Sequence, residues 1–126
     1  MLSVALLLLL AAGSYKSLFT SVNSVKCETL TQPASVTVQP GDTLTISCTV
    51  SYDIKAGQGY WTHWIRQPAG NGLEWIGRDC DGCTMLIKDS LKNKFSINAV
   101  SSSKTVTLNG QNMQPGDTAV YYCARR

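Results

Sequence analysis

The chain has 126 residues, eleven Lys and Arg against eight Asp and Glu, and five cysteines. That length suits one domain with a single small core. Two cations, Lys16 and Lys26, precede Glu28, which leaves nine cations against eight anions beyond it; with no basic run or stripe, the charge gives no case for a nucleic-acid partner.

Residues 2–12 form an uncharged apolar run followed by Gly13 and Ser14. The run is too short to span a bilayer and has the length of a signal-peptide core. A uniform leucine run has no polar face to turn to water, which argues against an element of the mature fold. Residues 1–27 are therefore read as a leader and 28–126 as the mature domain. Small residues around Ala11 to Ser14 favour cleavage near 13–14, which would leave 15–24 as an atypical insert and Cys27 as a spare thiol. A cut just after Cys27, flanked by Val25, is the alternative. No later run could anchor the chain in a membrane. Five cysteines behind a leader point to an oxidising, extracellular compartment.

Beyond Glu28 the pattern is one of short strands and turns. Val36 and Val38 alternate with Thr37 and lead into the turn Pro40-Gly41-Asp42. Leu44, Ile46, Cys48 and Val50 alternate with Thr43, Thr45, Ser47 and Thr49, a period-2 strand with Cys48 on its apolar face. Residues 61–66 are aromatic and β-branched and stop at Pro68. Gly70-Asn71-Gly72 predicts a hairpin into a strand over 73–76. Asp81-Gly82 signals a second tight turn, flanked by Cys80 and Cys83. Phe95 and Ile97 alternate, as do Val106 and Leu108; Pro115-Gly116-Asp117 turns the chain into a last strand over 119–123. No stretch carries a sustained helical period, so the expectation is an all-β sandwich or barrel.

The most informative set is Cys48, Trp64 and Cys123. The cysteines stand 75 positions apart, each on the apolar face of its strand, with the tryptophan between them. A disulfide across the core would hold two sheets face to face, and an indole beside it would fill the centre. Tyr121, two residues before Cys123, occupies the place of a tyrosine corner.

Trp64-Ile65-Arg66-Gln67-Pro68, Gly72-Leu73-Glu74-Trp75-Ile76-Gly77 and residues 117–125 resemble immunoglobulin heavy-chain variable segments, and the likeness covers nearly all of 28–126. Gly-Leu-Glu-Trp separates this pattern from T-cell-receptor and light-chain variable domains. The resemblance implies a variable-type Greek-key sandwich of two antiparallel sheets and a binding role in adaptive, humoral immunity, with no catalysis, cofactor or metal. It implies a light-chain variable domain as partner, packed on Gln67, Leu73, Trp75 and Tyr122. It also places Arg66, Glu74 and Asp117 in a structural charge cluster, with Lys94 as a further partner of Asp117. The chain stops at Arg125-Arg126 without an aromatic-Gly-x-Gly signature, which implies a germline-like segment whose last (G) strand is missing. Such an unpaired edge is an aggregation hazard.

In this fold the loops at one end take the ligand. The first would run over 53–63, with Asp53, Lys55, Gln58, Tyr60 and Trp61 as contacts and Tyr52, Gly57 and Gly59 nearby. The second would run over 78–84, with Arg78, Asp79, Asp81 and Thr84. Of the third only Arg125 and Arg126 are present. Aromatics with glycines suit recognition, since flat rings offer contact area at low entropy cost; the plainer reading is that they pack the loop down. Cys80 and Cys83 leave three readings open: a local disulfide, free thiols, or metal and redox work. Against the last, the pair flanks a hairpin rather than a helix N-terminus, and a structural zinc site needs four ligands. His63, the only histidine, reads as a packing residue at the loop base. The rival functions are a variable-type innate receptor or adhesion domain and, in another class, a small secreted thiol oxidoreductase.

Overall fold

The computed structural model describes residues 27–58 and 60–126. The stretch read as a leader, with its expected cleavage sites, lies outside the described residues, apart from Cys27, which is exposed and free. Eight strands form two four-stranded antiparallel sheets. One carries β1 (Leu30–Thr31), β2 (Leu44–Val50), β7 (Thr105–Gly110) and β6 (Phe95–Val100) in the order β1-β2-β7-β6. The other carries β5 (Leu86–Ile87), β4 (Glu74–Asp79), β3 (Thr62–Gln67) and β8 (Val120–Arg125) in the order β5-β4-β3-β8. This is the all-β sandwich expected from the sequence. Single 3-10 turns at Asp89–Leu91 and Pro115–Asp117 join the sheets.

The alternation of β2 explains its place. Leu44, Ile46, Cys48 and Val50 are buried while the residues between them face water, which is what a strand with one face on a core requires. Val106 and Leu108 of β7 and Phe95, Ile97 and Ala99 of β6 do the same. Between the sheets Cys48 is bonded to Cys123, with their Cα atoms 6.4 Å apart. Trp64, paired in register with Cys123, is fully buried in the same core. Tyr121 donates its hydroxyl to the Asp117 carbonyl at 2.7 Å, the expected corner.

The charge cluster closes one end of the domain. Arg66 Nε donates to Glu74 at 2.7 Å and its Nη1 to Asp117 at 3.1 Å, while Lys94 reaches the other Asp117 oxygen at 2.8 Å. Lys88 contacts Glu74 at 3.1 Å. Burial alone would raise the Asp117 pKa; the Lys94 ammonium, the Gln114 N–H and the Arg66 guanidinium outweigh it and hold the carboxyl below its ordinary value. Arg66 and then Lys88 lower that of Glu74. A carboxylate whose folded pKa is depressed stabilises the fold above its unfolded pKa and loses that contribution as pH falls through the folded value. Stability is therefore expected to hold at neutral pH and to fall progressively below about pH 4. Urea unfolding of the parent and of Asp117→Asn across that window checks it: the variant starts less stable at pH 7 and shows the shallower acid slope.

Four details depart from the sequence reading. The strand expected over 73–76 runs over Glu74–Asp79, because β4 continues past a register shift opposite Trp64 and Ile65. Asp79 is consequently a buried strand residue rather than a loop residue. The two-residue strands β1 and β5 are too short to show a period. Val36 and Val38 alternate but join no strand: among the described residues no ladder partner lies beside them, and Val36 is exposed. They line an open groove against β8, the edge strand of its sheet.

Candidate recognition surface

The first loop leaves β2 and is nailed down by two side chains from its own length. Tyr52 is buried and its hydroxyl shares a hydrogen bond with Thr62 at 2.6 Å; Ile54 is fully buried. For these two the packing reading holds. Asp53, Lys55, Gln58 and Tyr60 between and beyond them are exposed, and Trp61 is half-buried. Asp53 accepts from the Lys55 N–H at 2.9 Å, a local turn that lets Lys55 and Gln58 stand out.

The second loop is joined to the first. The Ala56 N–H donates to the Asp81 carbonyl at 2.8 Å, and the Asp81 N–H donates to the Ile54 carbonyl at 2.7 Å. These bonds form a parallel bridge between Lys55 and Asp81. The Asp81 carboxylate also accepts from the Ser101 N–H at 2.9 Å, tying in the turn between β6 and β7. The Ser101 hydroxyl first, and that N–H second, hold the carboxyl below its ordinary pKa. Cys80 and Cys83 are bonded to each other across a turn in which the Cys83 N–H reaches the Cys80 carbonyl at 3.0 Å. Gly82, at φ +85°, supplies the left-handed residue that turn needs. The Cα atoms of the pair lie 5.1 Å apart, within the span that a local disulfide bridges. Among the described residues no group of three or more His, Cys, Asp or Glu is placed to hold a metal ion.

Arg78 and Asp79, assigned to the second loop from the sequence, belong to β4, and they face opposite ways. Asp79 pairs in register with buried Thr62 and is 7% exposed. Burial raises its pKa, against donation from the Cys80 and Ala99 backbones, and one carboxyl oxygen finds no partner. It cannot reach a ligand as placed, which corrects its assignment as a contact. Arg78 pairs with His63 on the outer face, and its guanidinium lies 4.2 Å from the centre of the Trp61 ring. Thr84 is exposed beyond the disulfide. Arg125 lies over Tyr60 at 4.5 Å, and Arg126 exchanges backbone hydrogen bonds with Trp61 at 2.8 and 3.0 Å. The assigned contacts other than Asp79 thus gather at one end of the sandwich.

His63 sits beneath them. Its Nδ1 accepts from the Trp75 indole at 3.0 Å. Burial first, then the charges of Arg78 and Arg126, push its pKa below the ordinary value. It is a neutral packing residue at the loop base, as read from the sequence.

The outer face of the β5-β4-β3-β8 sheet carries the four residues assigned to a partner. Ile65 pairs with Trp75 on one side and Tyr122 on the other, and Gln67 pairs with Val120. Leu73, Val120 and Tyr122 are exposed to 67%, 55% and 42%, a contiguous apolar surface of the kind that marks an interaction site. Gln67 and Trp75 also have internal roles: Gln67 donates to the Asn71 carbonyl at 3.3 Å and Trp75 holds His63. Val120 and Ile65 were missed; their spacing from Tyr122 and Gln67 by two was the available signal.

The sequence matches the family model of the immunoglobulin V-set domain over residues 31–126. It is 42% identical over 109 residues to an Ig heavy chain V region of Xenopus laevis, covering 86% of this chain and 78% of that one. It is 41% identical over 88 residues to an immunoglobulin delta heavy chain of Homo sapiens, covering 70% of this chain and 17% of that much longer one.

Proposed function

This chain belongs to the immunoglobulin V-set family and is a heavy-chain variable domain, and from that premise we propose that it recognises antigen as one half of a heavy–light pair. The observation that carries the proposal is the division of the molecule into two adjoining surfaces. One end presents polar and aromatic loop residues on a disulfide-braced frame. The neighbouring sheet face leaves Leu73, Val120 and Tyr122 in water with no internal role. An isolated domain gains nothing from the second surface, whereas a partner variable domain would bury it. Recognition by shape and charge, without covalent chemistry, is what such loops offer. The site of action would be extracellular, in secreted form or at the surface of an antibody-bearing cell.

Pairing is tested by titrating the chain with a light-chain variable domain in analytical ultracentrifugation. Leu73→Asp and Tyr122→Asp are each expected to weaken pairing at least about tenfold, while Tyr60→Ala and Lys55→Ala in the loops leave it unchanged. A chain that stays monomeric with every light chain tried, or pairs equally well with both aspartates, contradicts the proposal.

A further inference from the structure

On the reading that this end of the domain binds antigen, we propose that its outer face is an oxyanion site, in which Arg78 and Arg126 beside the Trp61 ring take a phosphate or carboxylate group of the ligand. The argument starts from strand register. Trp61 and Arg126 are directly opposite through their paired backbone bonds, and two residues on His63 is opposite both Arg78 and Ala124. Residues two apart on a strand share a face. Trp61, His63, Arg78 and Arg126 therefore stand on the same side of three neighbouring strands. The intervening Thr62 and its partner Asp79 point into the core.

Among the described residues no side-chain carboxylate shares that side. Asp79 is buried on the opposite face. Asp81 is committed to the Ser101 N–H and Asp53 to the Lys55 N–H. Glu28 lies near Arg125 at 3.8 Å and accepts from Ser51. Among the described residues neither Arg78 nor Arg126 takes part in an ion pair, although six such pairs occur elsewhere in the domain. The two guanidiniums are also near enough to oppose the charging of His63 between them. Arg78 is held by more than charge. Its Cζ lies 4.2 Å from the centre of the Trp61 ring, a cation–π contact that favours this position, and its Nε is buried without an acceptor. A planar cation held by an aromatic ring, with its terminal donors free, is suited to the two-point hydrogen bonding that phosphate and carboxylate accept.

The test uses the chain paired with a light-chain variable domain. Phenyl phosphate and benzoate are titrated against phenol as the neutral probe, and binding is read by calorimetry. Saturable binding of the two anions, weakening as salt rises, is expected, with phenol silent. Arg78→Gln is expected to weaken phenyl phosphate at least about tenfold and Arg78→Lys by an intermediate factor, since lysine keeps the charge and loses the fork. Lys92→Gln, whose charge faces only Asp89 at the far side of the domain, changes nothing. Circular dichroism confirms that each variant is folded. Anion binding that survives Arg78→Gln, or that is absent up to about 10 mM, overturns the assignment. Panning the same pair against phosphorylated, acidic and neutral peptides separates the two levels. Binders to neutral peptides alone overturn the oxyanion site and leave antigen recognition standing, whereas binders to none overturn recognition itself.

Discussion

Replacing Cys48 and Cys123 together by alanine is expected to lower the unfolding free energy by about 4–5 kcal/mol. The bond closes a loop with a sequence separation of 75, and the chain-entropy relation for a loop of that length gives this magnitude. A domain of this size holds only about 5–15 kcal/mol in total, so the variant would sit near the edge of folding at 37 °C. The contrast is with Cys80→Ser and Cys83→Ser together, which opens a separation of three. So short a loop removes little freedom from the unfolded chain, and the loss there should be the smaller by about 2 kcal/mol or more. Urea unfolding followed by tryptophan fluorescence, on parent and both double variants, gives the two numbers. Equal losses would mean that the sheets are held by something other than the core bond.

Trp64→Ala is expected to cost about 3–5 kcal/mol, the range for deleting a large buried aromatic. Trp64 is fully buried and lies in register with Cys123 on one side and Gly77 on the other. The neighbouring backbone allows little collapse: a side chain at Gly77 would meet the Leu86 carbonyl at 2.5 Å, so β5 already lies hard against β4. The cavity would stay open. Trp64→Phe should cost clearly less, because the indole N–H has no hydrogen-bond partner to lose; only volume is removed. Chemical unfolding by far-ultraviolet circular dichroism measures both. A phenylalanine variant as weak as the alanine one would show that the indole N–H holds a bond the geometry does not reveal.

The legible parts of this fold are those that bury one face of a strand. Leu44, Ile46, Cys48 and Val50 announce β2 because each successive residue must choose core or water. Cys48, Trp64, Cys123 and Tyr121 could be assembled from spacing alone, since they meet in that core. Val36 and Val38 alternate without forming a strand, because alternation specifies a face and a strand also needs a neighbour to pair with. Asp79 shows another. The loop expected over 78–84 included it, but the register shift between Trp64 and Ile65 carries β4 further and turns that side chain inward. The bridge between Lys55 and Asp81 was invisible, because backbone bonds between two loops leave no trace in side-chain pattern. The same holds for the acid-free outer face around Arg78. It emerges only when three strands are set in register, since Asp79 and Asp81 closely follow Arg78 in sequence and leave that face in space. The division of labour between exposed Tyr60 and buried Tyr52 was equally hidden, both being tyrosines at the edge of one loop.

The most direct test of recognition at the loop end is a contact map. A ligand selected by display against the heavy–light pair is measured by surface plasmon resonance against single alanine variants spread over the domain. Losses of at least about tenfold clustered at Tyr60, Trp61 and Arg78, with Lys92, Ser96 and Val36 neutral, are the expected result. Losses confined to those last three positions, with the loop variants binding as the parent does, would contradict it.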